Sequence, residues 1–250
     1  VPDVRCLIGG AWIVGDGPVK DIVNPFDGAV VSRVAFASTV QVDAAVAAAK
    51  DAQRAWGRRS VAERVQMLSV ALDALEAEYE TFSRWSVLEM GKTIREARDE
   101  NRDITVALGR AALQDALRFG GATRPPYNAA HTDRRVMTVH EPIGVTALIS
   151  PWNFPVEMLG NAITSLAMGN SVVWKPSEWA PHAPEIASAI FAAGLPDGVL
   201  NLVYGCPEIG DHLVRHRDVG MVGFIGSTVV GEQISRAAGV KRLLLELGGN

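Results

Sequence analysis

Cysteine is nearly missing from this chain of 250 residues: Cys6 and Cys206 are the only two, and they lie far apart. That count argues against the disulfide framework that staples small secreted domains. No apolar run approaches the roughly 20 residues needed to span a bilayer, so no membrane segment is expected. An excess of positive charge is missing too. Lys and Arg number 24 against 28 Asp and Glu, and the net charge of −4 gives no electrostatic case for nucleic acid or an anionic membrane surface. The opening VPDVRCLIGGAWIVGDG has no basic stretch followed by an apolar one, so no secretory signal is read there and a cytoplasmic location is the default expectation. The chain also lacks an initiator Met, which suggests a processed or cut start, and it holds no internal repeat or low-complexity segment.

What remains is a globular composition, 48% hydrophobic and 21% charged, long enough to bury a sizeable core. Two halves differ in rhythm. Residues 39–119 read as helical: STVQVDAAVAAAKDAQRAW is Ala-rich with apolar residues at helical spacing. Ser60 with Glu63, and Thr93 with Glu96, fit capping boxes that would start new helices. Gly91 suits a helix C-cap, and Gly120-Gly121 would end the last helix. From about 122 to 142 the reading is loop and then a lone strand-like RRVMTVHEP. Beyond that, short β-rich runs (GVTALIS, SVVWKPS, LNLVYG, MVGFIGS, RLLLELGG) alternate with helical stretches. Such alternation implies βαβ units and a parallel sheet, and right-handed crossovers make it an α/β, doubly wound, Rossmann-like one of five strands.

In such sheets ligands bind at the carboxyl ends of the strands. That rule selects SPWNFP (150–155), KPSE (175–178), YGCPEIG (204–210), FIGSTVVG (224–231) and ELGG (246–249). Each admits two readings when taken alone. Gly226 and Ser227 sit at a strand-to-helix turn that suits a phosphate or is a plain tight turn; the segment is neither a Walker A loop nor GxGxxG. Lys175 and Glu178 offer a cation and a ribose-binding carboxylate, or a solvated loop. Asn153 is an oxyanion donor or a capping residue. Glu246, after an apolar run, would be partly desolvated and tuned for general-base work, or would be structural. His212 and His216 are four apart on a helix, but with no third ligand evident they read as a solvated face and no metal is expected. The helical ERVQMLSVALDALEAEYE is read as core-facing.

Together the motifs lose that ambiguity. In order and spacing, EPIGVTALISPWNFP, GNSVVWKPSE, AGLPDGVLNLVYG, FIGSTVVG and LELGGN resemble the NAD(P)-dependent aldehyde dehydrogenase superfamily, and CLIGGAWI and LEMGKTIREARDE extend the likeness toward the N-terminus. The resemblance implies oxidation of a small-molecule aldehyde through a cysteine thiohemiacetal and thioester. It assigns Asn153 to the oxyanion and Glu246 to the base that activates water. Ile149, Ser150, Pro151, Trp152, Asn153, Lys175, Pro176, Ser177, Glu178, Gly210, Phe224, Gly226, Ser227, Leu247 and Gly248 would touch the cofactor. Within that set, Trp152, Lys175, Ser177 and Glu178 would lie on the adenosine side, Gly226 and Ser227 by the pyrophosphate, and Leu247 and Gly248 by the nicotinamide. NAD is favoured over NADP because Glu178 would repel a 2′-phosphate.

The sequence departs from that pattern in three places. Ile225 stands where many members have Thr, and YGCPEIG is one residue shorter than the common Gly-rich form. No cysteine follows ELGG, where the family's nucleophile lies, and neither Cys6 nor Cys206 is a fitting substitute. The expectation is therefore a truncated cofactor-binding portion, inactive alone. It divides into a helical part (1–121), an oligomerisation strand or linker (122–142) and a Rossmann-like part (143–250), the catalytic domain being absent and the complete protein a homo-oligomer.

Overall fold

The computed structural model describes residues 1–126, 128, 130 and 132–249. The Asn250 that closes LELGGN lies outside the described residues, as do residues 127, 129 and 131 of the expected linker.

Strand formation follows burial. The runs Val145–Ile149 (β8), Ser171–Lys175 (β9), Leu200–Leu202 (β10), Val219–Ile225 (β11) and Arg242–Glu246 (β12) pair in parallel in the order β12-β11-β8-β9-β10. The strand order reverses on either side of β8, the switch point of a doubly wound sheet. The sheet is longer than the five strands expected. Near the N-terminus, Asp3–Val4 (β1), Cys6–Ile8 (β2), Ala11–Ile13 (β3), Val19–Val23 (β4) and Val30–Ala35 (β5) are also extended. Hairpin β2–β3 joins β10 antiparallel, Leu202 opposite Leu7, and so covers an edge that the parallel part would leave open. Strands β1, β5 and β4 form a separate three-stranded sheet.

Helices Thr39–Arg58 (α1), Val61–Ala77 (α2), Tyr79–Met90 (α3) and Ile94–Arg98 (α4) follow, then a π-helical stretch, Asp99–Val106, and Ala107–Arg118 (α5). Three of them open with capping boxes: Ser38 with Gln41, Ser60 with Glu63, and Thr93 with Glu96. The last two are those read from sequence. In the first, Gln41 Oε1 also accepts from the Asp16 amide at 2.9 Å. Gly91 ends α3 with φ of 75°, a left-handed conformation that costs glycine nothing. The strand-like 134–140 is not alone: Val136–Met137 (β7) pairs antiparallel with Thr123–Arg124 (β6).

Helices Met158–Ala167 (α6) and His182–Ala192 (α7) cover one face of the large sheet and are backed by α2, α3 and α5. Helix α1, with Pro207–Arg215 (α8) and Thr228–Ala238 (α9), covers the other. Polar bonds tie α1 and the outer α2 to the end of α6. Trp56 Nε1 donates to the Leu166 carbonyl at 2.9 Å, and buried Arg64 donates through Nε to the Ala167 carbonyl at 2.9 Å. A cation thus meets the carbonyl end of α6. At the opposite pole, buried Glu89 accepts from the His182 and Ala183 amides that open α7, at 3.1 and 3.5 Å, and from Ser32 Oγ at 2.7 Å.

Burial pushes the Glu89 carboxyl up to about 7, against the opposing pull of those donors and of His182. Protonated Glu89 is thus favoured in the fold more than in the unfolded chain. Its contribution is fully present below the unfolded value of 4.5 and is lost as pH rises through about 7. Stability from chemical denaturation should fall between pH 4.5 and 7, and Glu89→Gln should flatten that slope. A variant with the wild-type slope would contradict this.

Candidate functional site

Register brings the selected strand ends together. Ile149 at the end of β8 pairs with Lys175 of β9 and with Phe224 of β11, and Ile225 pairs with Glu246 of β12. Four loops therefore leave the sheet side by side. Beneath them, Trp174 Nε1 donates to the buried Ser150 Oγ at 3.0 Å, and the Ser150 amide donates to the Lys175 carbonyl at 3.2 Å. Pro151, half-buried, then turns the chain outward.

On one side of the switch point lies a cleft lined by Ile149, Lys175, Glu178, Gly210, Val230 and Ile234. Lys175 is only 6% exposed; its stem runs beside Gly210, and its ammonium lies 3.3 Å from the Pro176 carbonyl and 3.8 Å from Glu178 Oε2. Burial lowers its pKa, partly offset by Glu178 and Cys206. Pro176 and Ser177 are buried, and Ser177 Oγ accepts from the Trp179 amide. Gly226 opens the turn into α9, where a Cβ would fall 2.5 Å from the Phe224 ring. Ser227 is the N-cap of that helix, its Oγ accepting from the Val230 amide at 3.3 Å. The helix start thus presents amides and partial positive charge to the cleft. Leu247 packs on Gly231 of α9, and exposed Gly248 lies by Thr228. Trp152 is not part of this cleft: it lines a separate groove with Pro25, Met90 and Trp179.

Asn153, in the loop after β8, and Glu246, at the end of β12, are both exposed. The Asn153 carbonyl accepts from Lys92 Nζ at 2.8 Å, and Lys92 also pairs with buried Glu100 of the π-helical stretch. Half-buried Glu157, at the start of α6, has its carboxyl pushed up by burial and then by the charge of Glu246, with Lys92 opposing. Lys92, Glu100 and Glu157 were not singled out from sequence. The available signals were a Gly91 cap just before Lys92 and an acid four residues after the PWN turn. The expected desolvation of Glu246 is not seen: β12 is the edge strand, and alternate residues Arg242, Leu244 and Glu246 are exposed.

His212 and His216 form neither a metal pair nor a free face. Both approach Asp43 of α1, with Nε2 at 2.6 and 3.5 Å from Oδ1, and burial lowers the pKa of His216. Among the described residues no group of three metal-ligating side chains converges, and no helix is long and apolar enough to cross a membrane. Cys6 is fully buried in β2 with its thiol pushed up to about 11, and Cys206 is the N-cap of α8 beside Lys175.

A family model described as the aldehyde dehydrogenase family matches residues 12–250. The chain belongs to that family. It is 37% identical to a mitochondrial succinate-semialdehyde dehydrogenase of Arabidopsis thaliana, over 98% of this chain and 47% of that protein. With a vanillin dehydrogenase of Corynebacterium glutamicum the identity is 38%, over 98% and 51%. A structure of NADP-dependent glyceraldehyde-3-phosphate dehydrogenase from Bacillus halodurans, complexed with NADP, superposes with a TM-score of 0.93 at 32% identity, over 99% of this chain and 53% of that one. A structure of an NAD-dependent benzaldehyde dehydrogenase from C. glutamicum gives 0.88 at 33%, over 99% and 55%. The doubly wound aldehyde dehydrogenase fold is borne out, and the chain spans about half the length of the curated relatives it matches.

The turn into α9 is sensitive to small changes. Ser227→Ala removes the cap and should cost about 0.5–2 kcal/mol of stability in thermal or chemical unfolding. Gly226→Ala forces a methyl against Phe224 and should instead lose dinucleotide affinity in a titration. Unchanged affinity in Gly226→Ala would remove that turn from the site.

Proposed function

We propose that the chain binds NAD across the strand ends and, within a longer polypeptide, supplies two of the groups that oxidise an aldehyde to a carboxylic acid. The observation that carries this reading is the register that aligns Ile149, Lys175, Phe224 and Glu246 around the β8 switch point. The cleft fits a dinucleotide: a buried lysine beside a carboxylate on one wall, and a side-chain-free turn at a capped helix start on the other. Lys175, Ser177 and Glu178 would hold the adenosine half, Gly226 and Ser227 the pyrophosphate, and Leu247 and Gly248 the nicotinamide. Ile149 and Gly210, which line the cleft, and Ser150, Pro151, Pro176 and Phe224 beside them would shape the walls. Trp152, by its groove with Trp179, would reach only the rim of that site. The nicotinamide, when bound, takes up the hydride.

The Asn153 amide would donate to the substrate oxygen as negative charge collects there, and Glu246 would take a proton from the water that releases the acid. In this reading the nucleophilic thiol comes from outside residues 1–250. A second reading, a chain that only binds a dinucleotide or a partner, is favoured by the placement of the two cysteines, one sealed in the core and one capping α8. Residues 1–250 should bind NAD in a calorimetric titration yet produce no NADH from aldehydes. Steady turnover abolished by Cys206→Ser would overturn that.

The finer readings rest on less. Glu178 beside Lys175 supports NAD over NADP, because a carboxylate repels a 2′-phosphate. Exposed Val136, Met137 and Val139 support a role for 122–142 in homo-oligomer contacts, between a helical part ending near 121 and a sheet part from 143. Two unpaired cysteines support a cytoplasmic protein.

In the longer enzyme, NAD should give the higher kcat/KM, and Glu178→Gln should narrow its lead. Asn153→Ala should slow the first turnover itself by about 10²–10³. Glu246→Gln should keep more of a first-turnover NADH burst while slowing later cycles by roughly 10²–10⁴. Rapid-mixing traces decide: a burst lost as fully in Glu246→Gln as in Asn153→Ala sinks the division of labour.

A further inference from the structure

Asn153 sits in an exposed turn, and its side-chain amide makes no hydrogen bond among the described residues. The turn's own backbone bonds start one residue later, with the Glu157 amide donating to the Phe154 carbonyl at 3.4 Å. A donor meant to meet a developing charge must be held before the charge appears, since reorganisation at that moment forfeits the benefit. What holds this one comes from 61 residues earlier in the chain: Lys92 Nζ donates to the Asn153 carbonyl at 2.8 Å and lies 4.6 Å above the centre of the Phe154 ring.

Lys92 is itself fixed from both directions. The left-handed cap at Gly91 stops α3 just before it, and the Thr93 capping box starts α4 just after it. Its ammonium, 13% exposed, pairs with Glu100, 2% exposed, so neither long side chain is free to swing. Glu100 belongs to the π-helical stretch, whose wider turns leave Glu100 Oε1, Asn101 Oδ1 and Thr105 Oγ1 buried without partners. Unsatisfied buried atoms of this kind are costly, and π-helical segments concentrate at functional positions. A surface ion pair would be worth little here, but burial already pushes the Glu100 carboxyl up to about 7 against the pull of Lys92, so moving the lysine away costs the buried group its charge partner.

We propose that Lys92, anchored by Glu100, is a positioning residue that sets the Asn153 turn for oxyanion donation. This inference rests on the functional reading above and deepens it. Lys92 touches no reacting atom; it acts through the Asn153 backbone.

The test is a double-mutant cycle in the longer enzyme. Lys92→Met should lower kcat for aldehyde oxidation by about tenfold to a hundredfold, the cost of a misplacement near 1 Å. NAD affinity should change by less than about twofold, because Lys92 is not among the residues that line the cleft. In the Asn153→Ala background the same substitution should cost less than about twofold, since the two act as one unit. Lys92→Arg, which keeps the cation and the donor, should recover most of the rate. Hydrogen exchange of the peptide spanning 150–157 should quicken in Lys92→Met and return toward wild type in Lys92→Arg.

Equal losses in both backgrounds overturn the inference while leaving the functional reading intact. So does unchanged exchange across 150–157. A wild-type enzyme that oxidises no aldehyde overturns both. Should Lys92→Met fail to fold, Glu100→Gln takes its place: its loss of rate must likewise vanish once Asn153 is alanine, and a loss that persists overturns the proposal.

Discussion

A parallel sheet covered on both faces leaves polar side chains nowhere to go but the strand ends, and the rest of this molecule follows from that constraint. Strands β8 and β9 are buried almost throughout, as VTALI and SVVWK. Thr146, polar in mid-strand, is accepted only because Oγ1 donates to the Ser171 carbonyl at 3.0 Å and lies 2.8 Å from Ser165 Oγ. Lys175 and Ser150, the first polar groups past the apolar stretch, emerge on neighbouring strands one residue apart in height because Ile149 pairs with Lys175. A slip of one residue would turn each of these side chains to the opposite face, so the register that packs the core also assembles the site.

The outer helical layer is locked to that sheet through helix ends. Arg64 meets the carbonyl end of α6, and Glu89 meets the amide end of α7. Glu89 and Lys92 lie on either side of the Gly91 cap, three residues apart. One helix end therefore serves two tasks, seating α7 through its carboxylate and reaching the Asn153 turn through its ammonium. Both contacts bury polar groups and both depend on the chain reversing at Gly91, so one reversal ties the Asn153 turn and the start of α7 to the same helix end.

Much of this was legible in the sequence where the signal is local or periodic. The capping residues Ser60 and Thr93, the Gly91 cap, the five parallel strands and the strand-end segments all follow from spacing. The hairpin at 6–13 was less legible, because CLIGGAWI as a short apolar run does not declare which edge it will join. The α1 capping box was missed for a different reason: Gln41 gains its role partly from the Asp16 amide, a contact far away in sequence. Lys92, Glu100 and Glu157 were illegible for the same reason. They are ordinary helix-boundary residues until folding brings the Asn153 turn and β12 to them. His212 and His216 looked solvent-facing because the helical period of α8 says nothing about Asp43 on α1.

Glu246 is where sequence and structure part most clearly. LLLE reads as a strand covered on both faces, yet β12 is the sheet edge and Leu244 is 52% exposed, beside Met221, Phe119 and Arg242 in an open apolar groove. The apolar pattern alone does not tell a central strand from an edge strand. What β12 does provide is a like charge: Glu246 already helps hold up the carboxyl of Glu157 at the start of α6. Two neighbouring carboxylates resist ionising together more strongly as the dielectric around them falls. Lowering the dielectric around the start of α6 would therefore push the Glu157 carboxyl further up. Lys92 opposes that shift, so the ammonium that reaches the Asn153 turn also favours the charged form of Glu157.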